Sequence, residues 1–326
     1  MKKTILLSVL LISLFLFGCT SVVEQQELQD ITLKLKWVHQ AQFAGNYMAK
    51  EKGFFEEQGL NVKIEPFSFE DPTIDAVANG NAEFGITGAD EVLLAREKGL
   101  PIKAFAVIYR TNPVVAYSLK ESGIVKPQDF IGKKVGLERG VNVDTLYFAM
   151  MSKLGIDRSQ ITEIDIGYDA TELLNGETDV STGYIINEPH QAMEAGYEVN
   201  TILMADYGVN MYADVLFTTE QIINEQPELV EKFLKANLGG WQYAIENEEE
   251  AVDIVLKYAT DRTKSHESYM LSASIPLIYS ANVNLGSMEK TEWQRVNDIL
   301  FEQGLLKQEQ NIEEAYTSEF LDKIYS

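Results

Sequence analysis

The chain has 326 residues, with 27 lysines and arginines against 50 aspartates and glutamates for a formal net charge of −23, and 45% of it is hydrophobic. A surface this acidic repels nucleic acid and anionic headgroups, while the apolar share excludes a disordered acidic tail. The single cysteine rules out an internal disulfide or a cysteine-based metal site.

In chain order the first predicted element is an address. Lys2 and Lys3 precede the run Ile5 to Phe17, in which only Ser8 and Ser13 are polar, and Gly18 leads into Cys19. This is the three-part layout of a secretory signal, too short for a bilayer span, which needs about 20 apolar residues. Leu16-Phe17-Gly18-Cys19 resembles the lipobox of bacterial lipoproteins, with Phe17 a bulky departure. The expectation is a signal over residues 1–18, lipidation of Cys19 and a linker over residues 19–30, rich in Gln and Glu. More than one acyl chain on the cysteine makes a durable tether.

The body exceeds the roughly 250–300 residues at which a single core stops growing, so two lobes are expected. Period-two alternation marks Ile31 to Trp37 and Leu60 to Pro66 as strands, with a helix from Phe43 to Lys52 between them, stopped at Gly53. A helix over Pro72 to Asn79, a strand over Ala82 to Ile86, a helix over Ala89 to Lys98 and a strand over Ile102 to Tyr109 follow. The theme repeats with strands at Val114 to Leu119, Lys134 to Leu137, Ile161 to Ile166, Asp179 to Tyr184 and Thr201 to Met204. Helices lie between them at Val143 to Leu154, near Ala170 to Asn175 and at Glu188 to Ala195. Strand–helix alternation of this kind predicts mostly parallel sheets covered by helices. After a return path at Ala213 to Thr218, the stretches Gln226 to Ile245, Glu248 to Tyr258, His266 to Leu277 and Lys290 to Glu302 all have helical period.

An α/β lobe, a second α/β lobe reached by two crossings, and a helical C-terminal part packing on the first lobe is the layout of a type II solute-binding-protein fold. The stretches Leu35-Lys-Trp-Val-His-Gln-Ala-Gln-Phe-Ala-Gly45, Gly53-Phe-Phe55, Phe84-Gly-Ile-Thr-Gly-Ala-Asp90, Gly132-Lys-Lys-Val-Gly136 and Gly183-Tyr-Ile-Ile-Asn-Glu-Pro189 carry a family likeness. In this order they resemble the thiamine-pyrimidine-biosynthesis-like (NMT1/THI5-like) family. The resemblance implies a substrate-binding lipoprotein of an ABC importer that hands its ligand to a permease and its ATPase, with riboflavin, sulfonate and nitrate binders as kin. It also implies lobe I over residues 31–113 and 219–326, lobe II over 119–212, and hinges at 114–118 and 213–218. A monomer held extracytoplasmically by its lipid, with no cofactor, is expected.

Ligands of open α/β sheets sit beyond the carboxyl ends of strands. The loops there carry Trp37, Tyr109, Tyr184 and Tyr212 beside Asp90, Glu188 and Asp214, with His39 near the first. These eight are the candidate ligand-binding residues. Aromatic faces suit a planar ring and carboxylates accept hydrogen bonds from its amines. Because only Arg110 and Arg139 lie on these loops, a neutral or amine-bearing heterocycle, such as a thiamine pyrimidine precursor, is favoured over sulfonate or nitrate. Plainer roles compete: Asp90 as a dipole-complementing first-turn acid, Trp37 as core, Glu188 as a helix cap, His39 as a loop histidine, Tyr212 and Asp214 as hinge residues. The three histidines, His39, His190 and His266, show no metal-ligand spacing. An enzyme is not expected: the fungal synthase of the same family name is cytosolic and carries a cysteine-rich motif, and no nucleophile triad or phosphate-cradling loop stands out here.

Overall fold

The computed structural model describes residues 27–139 and 142–326; the expected signal, Cys19 and most of the linker lie outside them. The first half runs β1 (Gln29–Lys34), α1 (Ala44–Glu51), α2 (Phe54–Glu57), β2 (Leu60–Glu65), α3 (Thr73–Ala78), β3 (Phe84–Thr87), α4 (Ala89–Glu97) and β4 (Ile102–Val107). The chain then crosses to β5 (Val114–Leu119), β6 (Lys134–Leu137), α5 (Asn142–Lys153), β7 (Thr162–Asp165), α6 (Thr171–Leu174), β8 (Val180–Tyr184), α7 (Glu188–Glu194) and β9 (Val199–Leu203). It returns through β10 (Val215–Thr219). The helices α8 (Glu220–Glu225), α9 (Pro227–Glu246), α10 (Glu248–Val255), α11 (Lys264–Ile278), α12 (Lys290–Glu302), α13 (Ile312–Ala315) and α14 (Glu319–Tyr325) follow.

Among the described residues ten strands form two five-stranded sheets, ordered β2-β1-β3-β10-β4 and β7-β6-β8-β5-β9. Four strands of each run one way and the fifth, β10 or β5, pairs antiparallel with both its neighbours. That exception follows from the crossings. Strands of each sheet end at the edge facing the other sheet, so a chain arriving from the other sheet enters at that edge and runs backwards. The segments expected as hinges are therefore largely strand: Val114–Leu119 registers Val115 against Gly183 and Leu203, and Val215–Thr219 sits between β3 and β4. The links between sheets are residues 108–113 and 204–214.

The C-terminal helices complete the first half. Phe233 of α9 stacks on Phe84 of β3 at 4.0 Å between centroids, and α9 crosses α1 closely enough that a Cβ on Gly240 would lie 2.2 Å from the Gly45 carbonyl oxygen. Any side chain there would push the helices apart. A second cluster joins Leu137, Leu146 and Met150 through Met211 and Tyr212 to Val92 of α4 and Trp293 of α12, so the two halves share packed apolar surface near the crossings.

Candidate functional site

A cavity of about 290 Å³ opens between the carboxyl edges of the two sheets. Its first-half wall comes from the turn after β1 (Lys36, Trp37, Gln40, Gln42), the turn after β2 (Phe67, Phe69, Pro72) and the ends of β3 and α4 (Thr87, Glu91). The second half contributes Glu138, Asn142, Tyr168, Tyr184, Asn187 and Glu188. Strands that stop together at one edge must release their chains into loops there, which is why every contributor follows a strand or opens a helix.

The aromatic members form a rim. Trp37 lies nearly parallel to Phe67, with centroids 6.4 Å apart at 25°, and meets Tyr168 of the opposite half edge-on at 5.2 Å. Behind them the first-half wall is a linked polar chain. Lys36 Nζ donates to the Ala213 carbonyl at 2.8 Å and stands 3.4 Å from Asp214 Oδ1. Gln42 Nε2 donates to both Asp214 oxygens at 3.1 and 2.9 Å, and Gln40 Nε2 donates to Gln42 Oε1 at 2.7 Å. Burial opposes the Lys36 charge, but the Tyr184 hydroxyl and the carboxyl groups of Asp214, Glu91 and Asp90 together hold its ammonium well above the ordinary lysine range.

On the opposite wall Glu188 accepts from the Tyr184 N–H at 2.7 Å and from Asn187 Nδ2. Tyr184 donates its hydroxyl to Asn142 Oδ1 at 3.0 Å. The Glu138 side chain is buried beside Glu188, and burial followed by the Glu188 charge pushes its carboxyl well up. Burial raises Glu188 as well, with the backbone N–H groups of Tyr184 and of its own helix start pulling it back. The donors thus favour charge on Glu188 and a proton on Glu138. Three buried polar atoms of cavity residues, Gln40 Oε1, Glu138 Oε1 and Asn142 Nδ2, have no hydrogen-bond partner among the described residues.

Of the eight candidates, Trp37, Tyr184 and Glu188 line this cavity. Asp214 lies one layer back, holding Lys36 and Gln42 in place. Asp90 is buried in the first turn of α4, its carboxyl against Gly88 and raised by burial and then by Glu91. The other three lie off the cavity wall. His39 turns away to the Tyr47 hydroxyl, 2.9 Å from its Nδ1, and tilts against Tyr258. Tyr109 is fully buried against Trp241 and donates to Ser274 Oγ at 2.7 Å. Tyr212 packs on Trp293 and accepts from the Glu289 N–H at 3.0 Å. Loop position marked them, but Tyr109 and Tyr212 are buried in core and His39 is half-buried against Tyr47 and Tyr258.

The expectation that arginines would be scarce around the ligand needs an amendment. Arg110 reaches Glu289 at 2.6 Å and Arg139 reaches Asp165 at 2.7 Å, both off the wall, yet Lys36 brings a cation to it. Lys36 belongs to the alternating run read as strand; β1 ends two residues earlier, at Lys34. Tyr168 and Asn187 also escaped the sequence, since each sits on a loop where nothing separates a cavity residue from an exposed one. The histidines again depend on tertiary structure: His190 on α7 and His266 on α11 meet with their Nδ1 atoms 3.2 Å apart.

A family model described as NMT1/THI5 like matches residues 40–251. The chain is 28% identical to the riboflavin-binding protein RibY of Chloroflexus aurantiacus, over 91% of this chain and 87% of that one. It is also 28% identical to the formylaminopyrimidine-binding protein of Halalkalibacterium halodurans, over 98% and 99%. A 4-amino-5-hydroxymethyl-2-methylpyrimidine phosphate synthase of Legionella pneumophila is 25% identical, over 91% and 94%. Among solved structures, the periplasmic aliphatic sulphonate binding protein SsuA of Escherichia coli superposes with a TM-score of 0.73 at 14% identity, covering 87% of this chain and 96% of that one.

Proposed function

Because the chain belongs to the NMT1/THI5-like family, we propose that it is the solute-binding component of an ABC importer, capturing a small amine-bearing nitrogen heterocycle between its two halves. The observation that carries this reading is the cavity itself: flat aromatic rings at the rim, and in the interior Gln40 Oε1, Glu138 Oε1 and Asn142 Nδ2 without a partner among the described residues. An aminopyrimidine supplies the complement, with ring amines toward Gln40 Oε1 and Glu188 and a ring nitrogen toward Asn142 Nδ2 or the Glu138 proton. A site built to hydrogen-bond such groups rejects analogues that lack them.

Size and charge favour one ring over larger or anionic ligands. The cavity of about 290 Å³ lies at the small end of the roughly 300–1,000 Å³ typical of ligand pockets, which suits a substituted pyrimidine better than a tricyclic flavin with its sugar chain. Lys36, already ion-paired with Asp214, is also flanked by Glu91 and Asp90, and Glu138 and Glu188 line the same cavity, a poor setting for sulfonate or nitrate. A linked set of contacts from both halves shifts the protein toward its closed form. Residues 108–113 and 204–214 are the hinge segments in this reading, and lobe II is the portion between them.

The proposal includes export, lipid attachment through Cys19, delivery to a permease and its ATPase, and no turnover of the ligand. Thermal denaturation with hydroxymethyl-aminopyrimidine, formylaminopyrimidine, riboflavin and taurine tests the ligand class. Bound ligand at a hundredfold excess over Kd adds about 2.7 kcal/mol of apparent stability. A shift with either pyrimidine, with the compound recovered unchanged by mass spectrometry, is expected; a shift with taurine alone would overturn the ligand class, and conversion of the pyrimidine would overturn the transport reading.

A further inference from the structure

Outside the cavity, three side chains bring possible metal-ligating atoms together between α7 and α11. His190 Nδ1 and His266 Nδ1 are 3.2 Å apart, and Glu194 Oε2 lies 3.7 Å from His266 Nδ1. All three ligand atoms fall within 4.8 Å of one another. Glu194 is one turn beyond His190 on α7, so the two share a face.

Neighbouring contacts set the orientation of both rings. Asn187 donates through Nδ2 to Glu188 and receives Gln191 Nε2 on Oδ1, so Oδ1 is its acceptor atom. His266 Nε2 is 2.9 Å from that oxygen and is therefore the protonated nitrogen of the neutral ring, leaving Nδ1 as a bare lone pair turned toward His190 and Glu194. The His190 ring lies flat on Tyr269, centroids 4.0 Å apart at 8°. Outer partners of this kind fix ligating histidines in metal sites.

Two ligand atoms bound tetrahedrally at about 2.0–2.1 Å from zinc stand about 3.3 Å apart, close to the 3.2 and 3.7 Å found here. Two imidazoles and one carboxylate suit zinc and its neighbours; calcium and magnesium prefer oxygen sets of six or more ligands. The geometry points to a divalent transition-metal site of the zinc class formed by His190, Glu194 and His266, with an open fourth position.

Its placement has a mechanical consequence. α7 belongs to the second sheet's half and α11 packs on the first, where Tyr269 also donates to the Ile185 carbonyl at 3.1 Å. A metal here joins the halves at the edge of the cleft and favours the closed state. That consequence rests on the closing motion proposed above, whereas metal binding itself does not.

The test is calorimetric titration of the untagged, chelator-stripped full chain with Zn²⁺, alongside the absorption spectrum of the Co²⁺ form. One equivalent is expected with a tetrahedral cobalt spectrum, and Mg²⁺ is expected to give no heat. His190→Ala and Glu194→Ala should each weaken Zn²⁺ at least about tenfold, while circular dichroism melting shows both folded. Neither residue lines the cavity, so ligand binding without metal should be unchanged. Failure to bind Zn²⁺, or binding that survives both substitutions, overturns the site. Binding that leaves the radius of gyration unchanged in X-ray scattering overturns the latch but is compatible with the ligand reading.

Discussion

The two walls of the cavity are built on opposite electrostatic plans. On the first-half wall, Lys36, Asp214, Gln42 and the Gln40 amide nitrogen are joined in a continuous chain, and among the described residues only Gln40 Oε1 in that chain is left without a partner. Across from it, Glu138 and Glu188 are two buried acids, the first held protonated by burial and by the charge of the second, with Glu138 Oε1 and Asn142 Nδ2 unpaired among the described residues. The first wall is paired before anything binds, save for that one oxygen. The second carries most of the unmet demand, which a ligand offering both an acceptor and a donor can fill, so stability and recognition are divided between the halves.

Breaking the paired wall should have the largest effect. Lys36→Met leaves Asp214 buried without its cation, and removal of one partner from a buried ion pair costs about 3–5 kcal/mol; urea denaturation at neutral pH measures it. A loss below about 1 kcal/mol would mean that the first wall is no more self-sufficient than the second. On the other side, Glu188→Ala strands the Tyr184 N–H and the Asn187 amide, and an unsatisfied buried group costs about 1–3 kcal/mol. Ligand affinity should fall with it.

Trp37→Ala sharpens the division by acting on recognition more than on folding. Loss of ring stacking is worth about 0.5–1.5 kcal/mol beyond the area removed, a weakening of up to about tenfold in Kd by calorimetry. Glu138→Gln alters the structure least, replacing an already protonated acid by a neutral amide of the same shape, and at neutral pH it should raise stability, since the unfolded carboxyl is ionised there and the folded one is not. Its signature is in the pH dependence. A carboxyl whose folded pKa is raised contributes stability fully below its unfolded pKa and loses it as pH rises toward the folded value. The wild-type protein should therefore lose stability on the alkaline side of the ordinary carboxylate range, and the substitution should flatten that loss in denaturation series across pH.

Local pattern made the elements readable. The alternation of Leu60 to Glu65, buried and exposed in turn, is a half-covered edge strand and behaves as one. Helix starts at Pro227 and stops such as Gly53, at φ 79°, obey backbone sterics that need no distant partner. The cavity was legible where chemistry and strand-end position coincide, as at Trp37, Tyr184 and Glu188. Tyr109 and Tyr212 occupy equivalent positions along the chain, yet their rings point into core. Side-chain direction at a strand end depends on sheet twist and on which helix covers that face, and neither is encoded in spacing.

The chain's residue order, taken alone, determines an acidic two-sheet α/β protein with a helical C-terminal part, because periodicity, capping and glycine placement act within a few residues of one another. The meeting of Lys36 with Asp214 across 178 positions, and of His190 with His266 across 76, belongs to the folded state. Groups so far apart in the chain come within bonding distance only after both sheets have formed and the crossings have set one against the other, and at that point burial turns ordinary acids, lysines and histidines into a site.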